Sequence, residues 1–326
     1  MFKGIQIQNE PQYNARVTEI AEEQLGNGEV EVNIEYSTLN YKDALAITGK
    51  GKIIREFPMT PGIDFAGKVF RSQSDDFVSG DSVILNGFGV GERFPGGLAQ
   101  KARVPADFLI KQPSEFSSKE AMMLGTAGYT AMLCVLALQK QGVTPDKGEI
   151  LVTGGNGGVG SVAIMLLSKL GYQVIASTGR PEEKAFLQSL GAVDIIERSE
   201  LSEPGRPMVR ERWAGVIDSV GSHTLANACA ATQYGGTVAA CGLAQGMDLN
   251  MTVAPFILRG VKLIGIDSVM RPIEDRKEAW KALGSLVDKQ LLASLSTVVA
   301  LSSSVDLAEQ LLAGKVRGRL VVDVNT

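Results

Sequence analysis

A glycine-rich segment that follows an apolar run is the feature that most constrains the fold of this chain. Residues 149–153 predict a buried strand, and residues 154–160 follow it directly as Gly-Gly-Asn-Gly-Gly-Val-Gly. Three of these glycines have the spacing G-x-G-x-x-G, and residues 158–170 predict a helix. A strand, a glycine loop and a helix in this order bring backbone N–H groups and a helix N-terminus to a pyrophosphate. The pattern therefore indicates dinucleotide binding, and a turn that only packs the helix on the strand is the alternative.

Strands and helices alternate through the middle of the chain. Beyond the first strand and helix, the sequence predicts strands over residues 172–176, 193–196, 214–220, 236–241 and 261–266, and helices over 182–190 and 222–231. Short apolar strands that alternate with helices are typical of a parallel sheet with both faces covered. The expected fold class is therefore α/β, with a doubly wound Rossmann domain.

The two ends of the chain have a different pattern. Before residue 120, strands are predicted over 29–36, 67–70 and 81–85, with glycine, proline and aspartate between them, which favours a barrel-like or sandwich-like β domain. A helix is expected over 125–138, and after the alternating region helices over 274–287 and 305–312 and a strand over 319–324. We expect a β domain over 1–124, a nucleotide-binding domain over 125–266, and a return to the first domain over 267–326.

Composition and charge exclude several classes of function. Lysine and arginine total 32 against 36 aspartates and glutamates, a net charge of −4 without a long block of one sign, which argues against a nucleic-acid partner. The start of the chain lacks a leader-like apolar stretch, and the longest apolar run, residues 131–138, is too short to cross a bilayer. We therefore expect a cytoplasmic protein without a membrane partner. Three cysteines without close spacing predict packing residues rather than disulfides or a metal centre.

The residues after the second predicted strand favour NADPH over NADH. An NAD site usually has an Asp or Glu at this point, about 20 residues beyond the glycine loop, for the ribose hydroxyl. Here Ser177 is followed by Thr178, Gly179 and Arg180. Hydroxyls and a guanidinium suit a 2′-phosphate, because arginine offers it several donors. The alternative is that Arg180 is solvated and that a carboxylate of the segment 182–183 holds the ribose.

Five longer motifs make the resemblance to a known family specific. They are Leu-Asn-Tyr-Lys-Asp-Ala-Leu at 39–45, Pro-Gly-Ile-Asp-Phe-Ala-Gly at 61–67, Gly-Thr-Ala-Gly-Tyr-Thr-Ala at 125–131, Ala-Pro-Phe-Ile-Leu-Arg at 254–259 and Gly-Ile-Asp-Ser-Val-Met at 265–270. In this order they resemble the zinc-free branch of the medium-chain dehydrogenase/reductase superfamily, in particular its acrylyl-CoA reductases and quinone oxidoreductases. The resemblance covers essentially the whole chain and implies a GroES-like β-barrel catalytic domain beside the Rossmann domain.

The sequence departs from the zinc branch of that superfamily. Where the zinc branch has a Gly-His-Glu motif, Ile63 replaces the histidine, and the only histidine in the chain is His223. No cysteine precedes Cys134, so neither a catalytic zinc site nor a four-cysteine structural site can be assembled in the first domain. We therefore expect no metal and no metal-assisted alcohol oxidation.

The resemblance also implies positions that contact NADPH. These are Tyr41, Asn156, Gly157, Gly158, Val159, Thr178, Gly179, Arg180, Arg198, Leu243, Ile257, Ser268 and Asn325. The family usually has a smaller residue in place of Asn156 and serine in place of Thr178, and both replacements keep or add hydrogen-bonding capacity. Arg198 as a solvated residue, and Leu243 and Ile257 as core residues, are the alternatives.

The implied reaction is the NADPH-dependent reduction of an activated carbon–carbon double bond. The substrate would be a small enoyl-CoA such as acryloyl-CoA, held between the domains, with hydride addition at its β-carbon. Tyr41 is the weak catalytic candidate, because a phenol could stabilise the enolate or supply a proton; packing against the cofactor is its alternative. The basic loop 50–55 could meet coenzyme A phosphates or simply be solvated. A quinone reductase and an NADPH-binding sensor with little turnover remain open, and the resemblance suggests a homodimer.

Overall fold

Residues 1–326 of the computed structural model divide into two units. The first unit contains Met1–Thr126, Ser268–Gly284 and Leu292–Thr326, and the second contains Ala127–Asp267 and Ser285–Leu291. The chain therefore leaves the first unit once and returns to it, except for one short segment near residue 288.

Strands dominate the first segment of the chain. In order, its elements are β1 (Phe2–Gln8), β2 (Asn14–Ile20), β3 (Val30–Thr38), α1 (Tyr41–Thr48), β4 (Asp64–Ser72), β5 (Ser82–Asn86), β6 (Lys101–Val104), β7 (Leu109–Lys111) and α2 (Ser118–Lys140). Strands β1 and β2 form an antiparallel pair. The expectation of a mainly β domain is confirmed, and the helix α1 interrupts it.

The middle segment forms the predicted parallel sheet. Its elements are β8 (Glu149–Val152), α3 (Gly158–Lys169), β9 (Val174–Thr178), α4 (Lys184–Ser189), β10 (Ala192–Glu197), β11 (Trp213–Asp218), α5 (Ser222–Ala230), β12 (Thr232–Ala240), α6 (Ala254–Arg259) and β13 (Lys262–Gly265). The strand order is β10-β9-β8-β11-β12-β13, and every neighbouring pair is parallel. This is the doubly wound order in which the first strand lies at the switch point, beside the fourth.

The last segment adds to the sheet of the first unit. It contains α7 (Ile273–Leu286), α8 (Lys289–Ser294), β14 (Ser296–Ala300), α9 (Ser304–Leu312) and β15 (Arg319–Asp323). The seven-stranded sheet has the order β14-β15-β3-β4-β5-β7, with β6 also paired to β3. The final strand therefore lies against β3, directly before the motif at residues 39–45.

Each unit has its own apolar core. In the second unit Leu151, Val216 and Val238 are fully buried, as expected for strands covered on both faces. In the first unit the core includes the buried side chains of Phe65 and Val322. The strands of the second unit are short apolar runs that alternate with helices. This pattern is the reason that the sequence located them to within a few residues.

Several elements differ from the prediction. The helix expected over 125–138 begins at Ser118, and Gly125, with φ 51°, interrupts its helical geometry. The helix expected over 182–190 is split into a 3-10 turn at Pro181–Glu183 and the shorter α4. The sequence analysis did not predict β1, β2, β6, β7, β14, α1, α6 or α8. Most of these are short or half-exposed, so they lack the periodicity that identifies a longer element.

The helix α2 is long enough to cross a membrane by length and composition. Its most apolar window, however, is 83% buried inside the protein. Burial of this kind is typical of a core helix. The uninterrupted apolar run at residues 131–138 is only one part of this longer helix.

Candidate nucleotide-binding site

The glycine loop between β8 and α3 is built to bring backbone close to a ligand. Gly154 has φ +64°, a conformation that favours glycine, and the N–H of Gly155 donates to the carbonyl of Ser177 at 3.0 Å. A Cβ at Gly160 would lie 2.3 Å from the Gly154 oxygen, so only glycine allows this turn to meet the helix. Gly157 is exposed and Gly158 is half-buried, so the first amides of α3 are accessible.

Asn156 places a buried donor at this loop. Its side chain is only 6% exposed, and its Oδ1 accepts a hydrogen bond from the hydroxyl of Thr178. Its Nδ2 has no hydrogen-bond partner in the protein. Because a buried donor without an acceptor costs free energy, this geometry suits an acceptor atom of a ligand. A helix N-terminus and an unpartnered buried amide therefore occur together.

Two arginines lie near the end of the neighbouring strand. Thr178 is the last residue of β9, and its Oγ1 accepts the N–H of Arg180 at 2.9 Å, which fixes the turn through Gly179. A Cβ at Gly179 would lie 2.9 Å from Cζ of Arg198, so the guanidinium of Arg198 rests against this turn. Donors from separate segments thus converge after β8 and β9, where ligands of such sheets bind.

The carboxylates of the alternative ribose site lie in the next turn. Glu182 and Glu183 belong to the 3-10 turn that follows Arg180. Neither ends β9, because that strand ends at Thr178. The position expected for an NAD-type carboxylate is therefore occupied by the segment from Thr178 to Arg180.

Leu243 and Ile257 are not core residues. Leu243 follows β12 and is 50% exposed, with its Cα 3.2 Å from the position of a Cβ at Gly221. Ile257, on α6, is 72% exposed. The packing alternatives for these two side chains are therefore wrong, and both remain available to a ligand.

The sequence analysis missed a buried carboxylate beneath the glycine loop. Asp218 ends β11 and is fully buried, and its oxygens accept the hydroxyl of Thr153 at 2.7 Å and the N–H of Gly221 at 2.8 Å. Burial raises the pKa of Asp218. Its position at the end of an apolar strand was the available signal. The carboxylate joins the ends of β8 and β11, on either side of the switch point.

Cys241, in contrast to the prediction, is not a buried packing residue. It is only half-buried, and its thiol donates to the Asp218 carbonyl at 3.3 Å.

Tyr41 occupies the first position of α1 in the other unit. It is 42% exposed, so its phenol is accessible. The start of α1 is fixed by Asp43, whose Oδ2 accepts the backbone N–H of Asn40 at 2.9 Å and the side-chain amide of Asn40 at 3.1 Å. This pair therefore caps the helix that carries Tyr41.

Ser268 and Asn325 also belong to the first unit, and hydrogen bonds hold both segments. Buried Arg276 donates to the carbonyl of Val269 at 2.7 Å and lies over the ring of Phe88, 3.8 Å from its centroid, which fixes the turn after Ser268. The side-chain amide of Asn325 donates to the carbonyl of Ile34 at 3.2 Å. The chain end at Asn325 is therefore anchored to β3.

A buried polar network surrounds the start of α1. Asp64 Oδ1 accepts the hydroxyl of Thr38 at 2.6 Å, and its Oδ2 accepts the N–H of Thr126 at 2.7 Å and the amide of Asn40 at 3.1 Å. Arg319 of β15 is buried and donates to the Asn40 Oδ1 at 3.2 Å. Residues from both ends of the chain thus form one network.

Burial changes the proton affinities in this network. Burial and the neighbouring Asp64 raise the pKa of Asp43 to about 7. Burial lowers the pKa of Arg319, although Asp64 and Asp43 oppose that shift. The sequence analysis identified Asn40 and Asp43 only within a motif and missed Arg319, because nothing local marks a residue that is buried by distant strands.

The zinc position of the superfamily has no metal-ligand geometry. The backbone N–H of Ile63 donates to Asp43 Oδ1 at 2.9 Å, and its side chain is buried. Residues 1–326 contain no group of three or more His, Cys, Asp or Glu side chains that could hold a metal ion.

Comparison with known families and proteins agrees with this architecture. A family model described as alcohol dehydrogenase GroES-like domain matches residues 26–114, and one described as zinc-binding dehydrogenase matches residues 158–286. The chain is 50% identical over 311 residues to an Escherichia coli K12 protein named "Probable acrylyl-CoA reductase AcuI", covering 95% of this chain and 96% of that protein.

Two solved structures are similar over almost the entire chain. The yhdH oxidoreductase of Salmonella enterica, solved in complex with NADP, is 50% identical with a TM-score of 0.97 and 99% coverage of both chains. Bacillus subtilis yhfP, solved with NAD bound, is 40% identical with a TM-score of 0.94 and 99% coverage of both chains. The same Bacillus protein is named "Putative quinone oxidoreductase YhfP".

Proposed function

The chain belongs to the zinc-free branch of the medium-chain dehydrogenase/reductase superfamily, and from this premise we propose that it reduces the double bond of a small α,β-unsaturated acyl-CoA with NADPH. Acryloyl-CoA, reduced to propionyl-CoA, is the proposed substrate. The observation that carries the proposal is the convergence of Asn156, Arg180 and Arg198 after β8 and β9, in a chain half identical to a protein named as an acrylyl-CoA reductase.

The residues of the second unit fit the cofactor. The N–H groups of Gly158 and Val159 at the start of α3 would receive the pyrophosphate, and the free Nδ2 of Asn156 offers it another donor. Gly157, whose own N–H donates to the Gly154 carbonyl at 2.9 Å, would let the phosphates approach the backbone closely. The segment Thr178–Arg180, together with Arg198, would hold the 2′-phosphate through charge-assisted hydrogen bonds. Leu243, Ile257, Ser268, Asn325 and Tyr41 are the further proposed contacts. When bound, NADPH supplies the hydride for the β-carbon.

Tyr41 is the candidate donor to the substrate. Addition at the β-carbon places negative charge on the thioester oxygen, and a phenol at that oxygen stabilises the charge by donating a hydrogen bond. The same phenol could give its proton to the α-carbon. The cap formed by Asn40 and Asp43 holds Tyr41 at the exposed start of α1 and so fixes the backbone from which the phenol projects.

We expect Tyr41→Phe to lower kcat about 100- to 1,000-fold, since one well-placed donor at a developing oxyanion contributes about 2.7 to 4 kcal/mol. Stopped-flow measurement of NADPH oxidation would provide kcat, and fluorescence titration would show an NADPH dissociation constant within about twofold of the wild type. An unchanged kcat would restrict Tyr41 to packing against the cofactor.

The oligomeric state is part of the proposal. Strand β13 is an edge of the parallel sheet, and Val253 and Leu258 beside it are exposed. The opposite edge, β10, carries Asp194 and Glu197, which protect an edge from pairing. The resemblance implies a homodimer, and we propose that it forms through β13, which carries one charged residue, Lys262, against two on β10. The expected cytoplasmic location stays a prediction.

The direct test compares substrates. NADPH oxidation is measured with acryloyl-CoA and, in parallel, with a simple quinone. A strong preference for acryloyl-CoA supports the proposal, whereas a preference for the quinone would favour the second candidate, to which the name of the 40% identical Bacillus protein points. Tight NADPH binding without turnover of either substrate would indicate a sensor instead.

A further inference from the structure

A cavity on the first unit has the chemistry of a nucleotide-phosphate site. Its volume is about 770 Å³, within the range of about 300 to 1,000 Å³ typical of small-molecule sites. Its lining consists of Gly26, Asn27, Arg55, Glu56, Arg93, Phe94 and Pro95. Two guanidinium groups and one aromatic ring are the groups that recognise phosphates and a base.

The arginines of this cavity have little compensation within the protein. The side chain of Arg55 forms no hydrogen bond or ion pair, and the Nε of Arg93 is 4.0 Å from Glu92, whose carboxylate also pairs with Lys42. A smaller neighbouring cavity of about 380 Å³ provides the contrast.

In that neighbouring cavity two carboxylates, Glu29 and Glu31, balance the charge of two arginines. Arg71 and Arg103 both donate to the same oxygen of Glu31. Burial of Glu31 opposes its ionisation, but the two arginines hold its pKa below the usual value. The two cavities therefore differ in available charge. The arginines of the smaller cavity share one carboxylate oxygen, whereas in the larger cavity Arg55 has no side-chain partner and Arg93 approaches Glu92 only to 4.0 Å.

Backbone hydrogen bonds fix the loops that carry these arginines. The N–H of Arg55 donates to the carbonyl of Glu92 at 3.1 Å, which joins the two loops. The N–H groups of Arg93 and Phe94 donate to the Gly89 carbonyl at 2.9 and 3.2 Å. A ligand would therefore meet a preorganised backbone, which reduces the entropy lost on binding.

A salt bridge joins the loop beside the cavity to the start of α1. Lys42, which follows Tyr41, pairs with Glu92, and the adjacent Arg93 lines the cavity. A ligand with phosphates in the cavity and a flexible arm toward Tyr41 would use both regions. A coenzyme A thioester has this form, because pantetheine separates its nucleotide from the acyl group.

We propose that this cavity binds the 3′-phosphoadenosine diphosphate part of the acyl-CoA substrate. Arg55 and Arg93 bind its phosphates, and Phe94, which is partly exposed and in edge contact with Phe108, packs against the adenine. The carboxylate of Glu56, which also lines the cavity, repels the phosphates and so lowers the affinity of the site. The inference rests on the proposed function, since it assigns part of that substrate to a site.

Kinetics with two thioesters test the assignment. We expect the double variant Arg55→Ala/Arg93→Ala to raise KM for acryloyl-CoA at least tenfold and to leave kcat/KM for acryloyl-pantetheine, which lacks the nucleotide, within twofold. Glu56→Gln should lower KM for acryloyl-CoA two- to threefold. The matched control is Arg16→Ala, which removes an exposed arginine of β2 that does not line the cavity. An unchanged KM in the double variant would overturn the assignment.

Direct binding separates this inference from the proposed function. Calorimetric titration of coenzyme A into protein saturated with NADPH should show binding to the wild type and to Arg16→Ala, and at least tenfold weaker binding to the double variant. If the wild type binds coenzyme A in this way but reduces neither thioester, the proposed function fails and the cavity assignment stands. Absence of coenzyme A binding to the wild type would overturn the assignment. Binding of ADP in this cavity without competition against acryloyl-CoA would also overturn it, because that result indicates a site for free nucleotides.

Discussion

The glycine loop of the second unit and the polar network of the first unit are built in opposite ways. The loop offers backbone amides and one free side-chain donor, and its key glycine Gly157 is exposed. The network around Asp64 consists of buried side chains that bond mainly to one another. The loop therefore has hydrogen-bond donors that are free to bind a ligand, whereas most polar groups of the network already have partners within the protein. We infer that the loop determines cofactor affinity and that the network determines stability and the position of Tyr41.

The largest expected effect follows from removing the buried cation. Arg319→Met should reduce the free energy of unfolding by about 3 to 5 kcal/mol, because it leaves Asp43 and Asp64 buried without a nearby positive charge. Urea denaturation measures this loss, and Arg16→Met, an exposed position, should change stability by less than about 0.5 kcal/mol. A loss below about 1 kcal/mol for Arg319→Met would break the comparison, since the network would then not govern stability.

A glycine that packs against the loop backbone gives the next effect. Gly160→Ala places a Cβ 2.3 Å from the Gly154 oxygen, so the loop must shift, at a cost of about 1 to 3 kcal/mol in NADPH binding or in stability. Gly265→Ala, at the end of β13, is the matched control, because no atom lies within 4 Å of the position of its Cβ. Fluorescence titration with NADPH, alongside a thermal unfolding midpoint, should separate the two variants. Equal behaviour would contradict a role for close backbone approach.

The pH dependence of stability sharpens the comparison further. The pKa of Asp43 is raised to about 7 in the folded protein, so the folded state binds this proton more tightly than the unfolded state. Its contribution to stability is therefore present at low pH and is lost as pH rises toward 7. Between pH 5 and pH 7.5 we expect Asp43→Asn to lose about 2 kcal/mol less stability than the wild type. Urea midpoints at the two pH values measure this difference, and equal losses in the two proteins would contradict it. The pKa of Asp218 is also raised, but its pH-dependent contribution is the same in both proteins and does not affect the difference.

The sequence indicated the fold where short apolar runs and fixed spacings mark an element locally. The strands β8, β9 and β11 contain the apolar runs 150–152, 174–176 and 213–217, and the glycine loop between β8 and α3 has a fixed spacing, so both could be located without coordinates. The split of the helix near residue 183 could not be located, because short turns carry no period.

In the candidate site, too, local motifs identified residues but not the contacts between distant parts of the chain. Asn156 and Thr178 were named from motifs, but their mutual hydrogen bond joins residues from two strands and needed the structure. Arg319 lies far in sequence from Asn40, which accepts its hydrogen bond, and no local signal connects them. The unpaired state of Arg55 likewise depends on which carboxylates the fold brings near.

Paired titrations of NADPH and NADH into the wild type and Arg180→Ala test the central claim most directly. We predict that NADPH affinity falls by about 1.5 to 3 kcal/mol, roughly 10- to 150-fold, because charge-assisted hydrogen bonds to the 2′-phosphate are lost. NADH affinity should stay within about twofold of the wild-type value. A wild type that binds no NADPH, or a variant with an unchanged preference between the two nucleotides, would contradict the account.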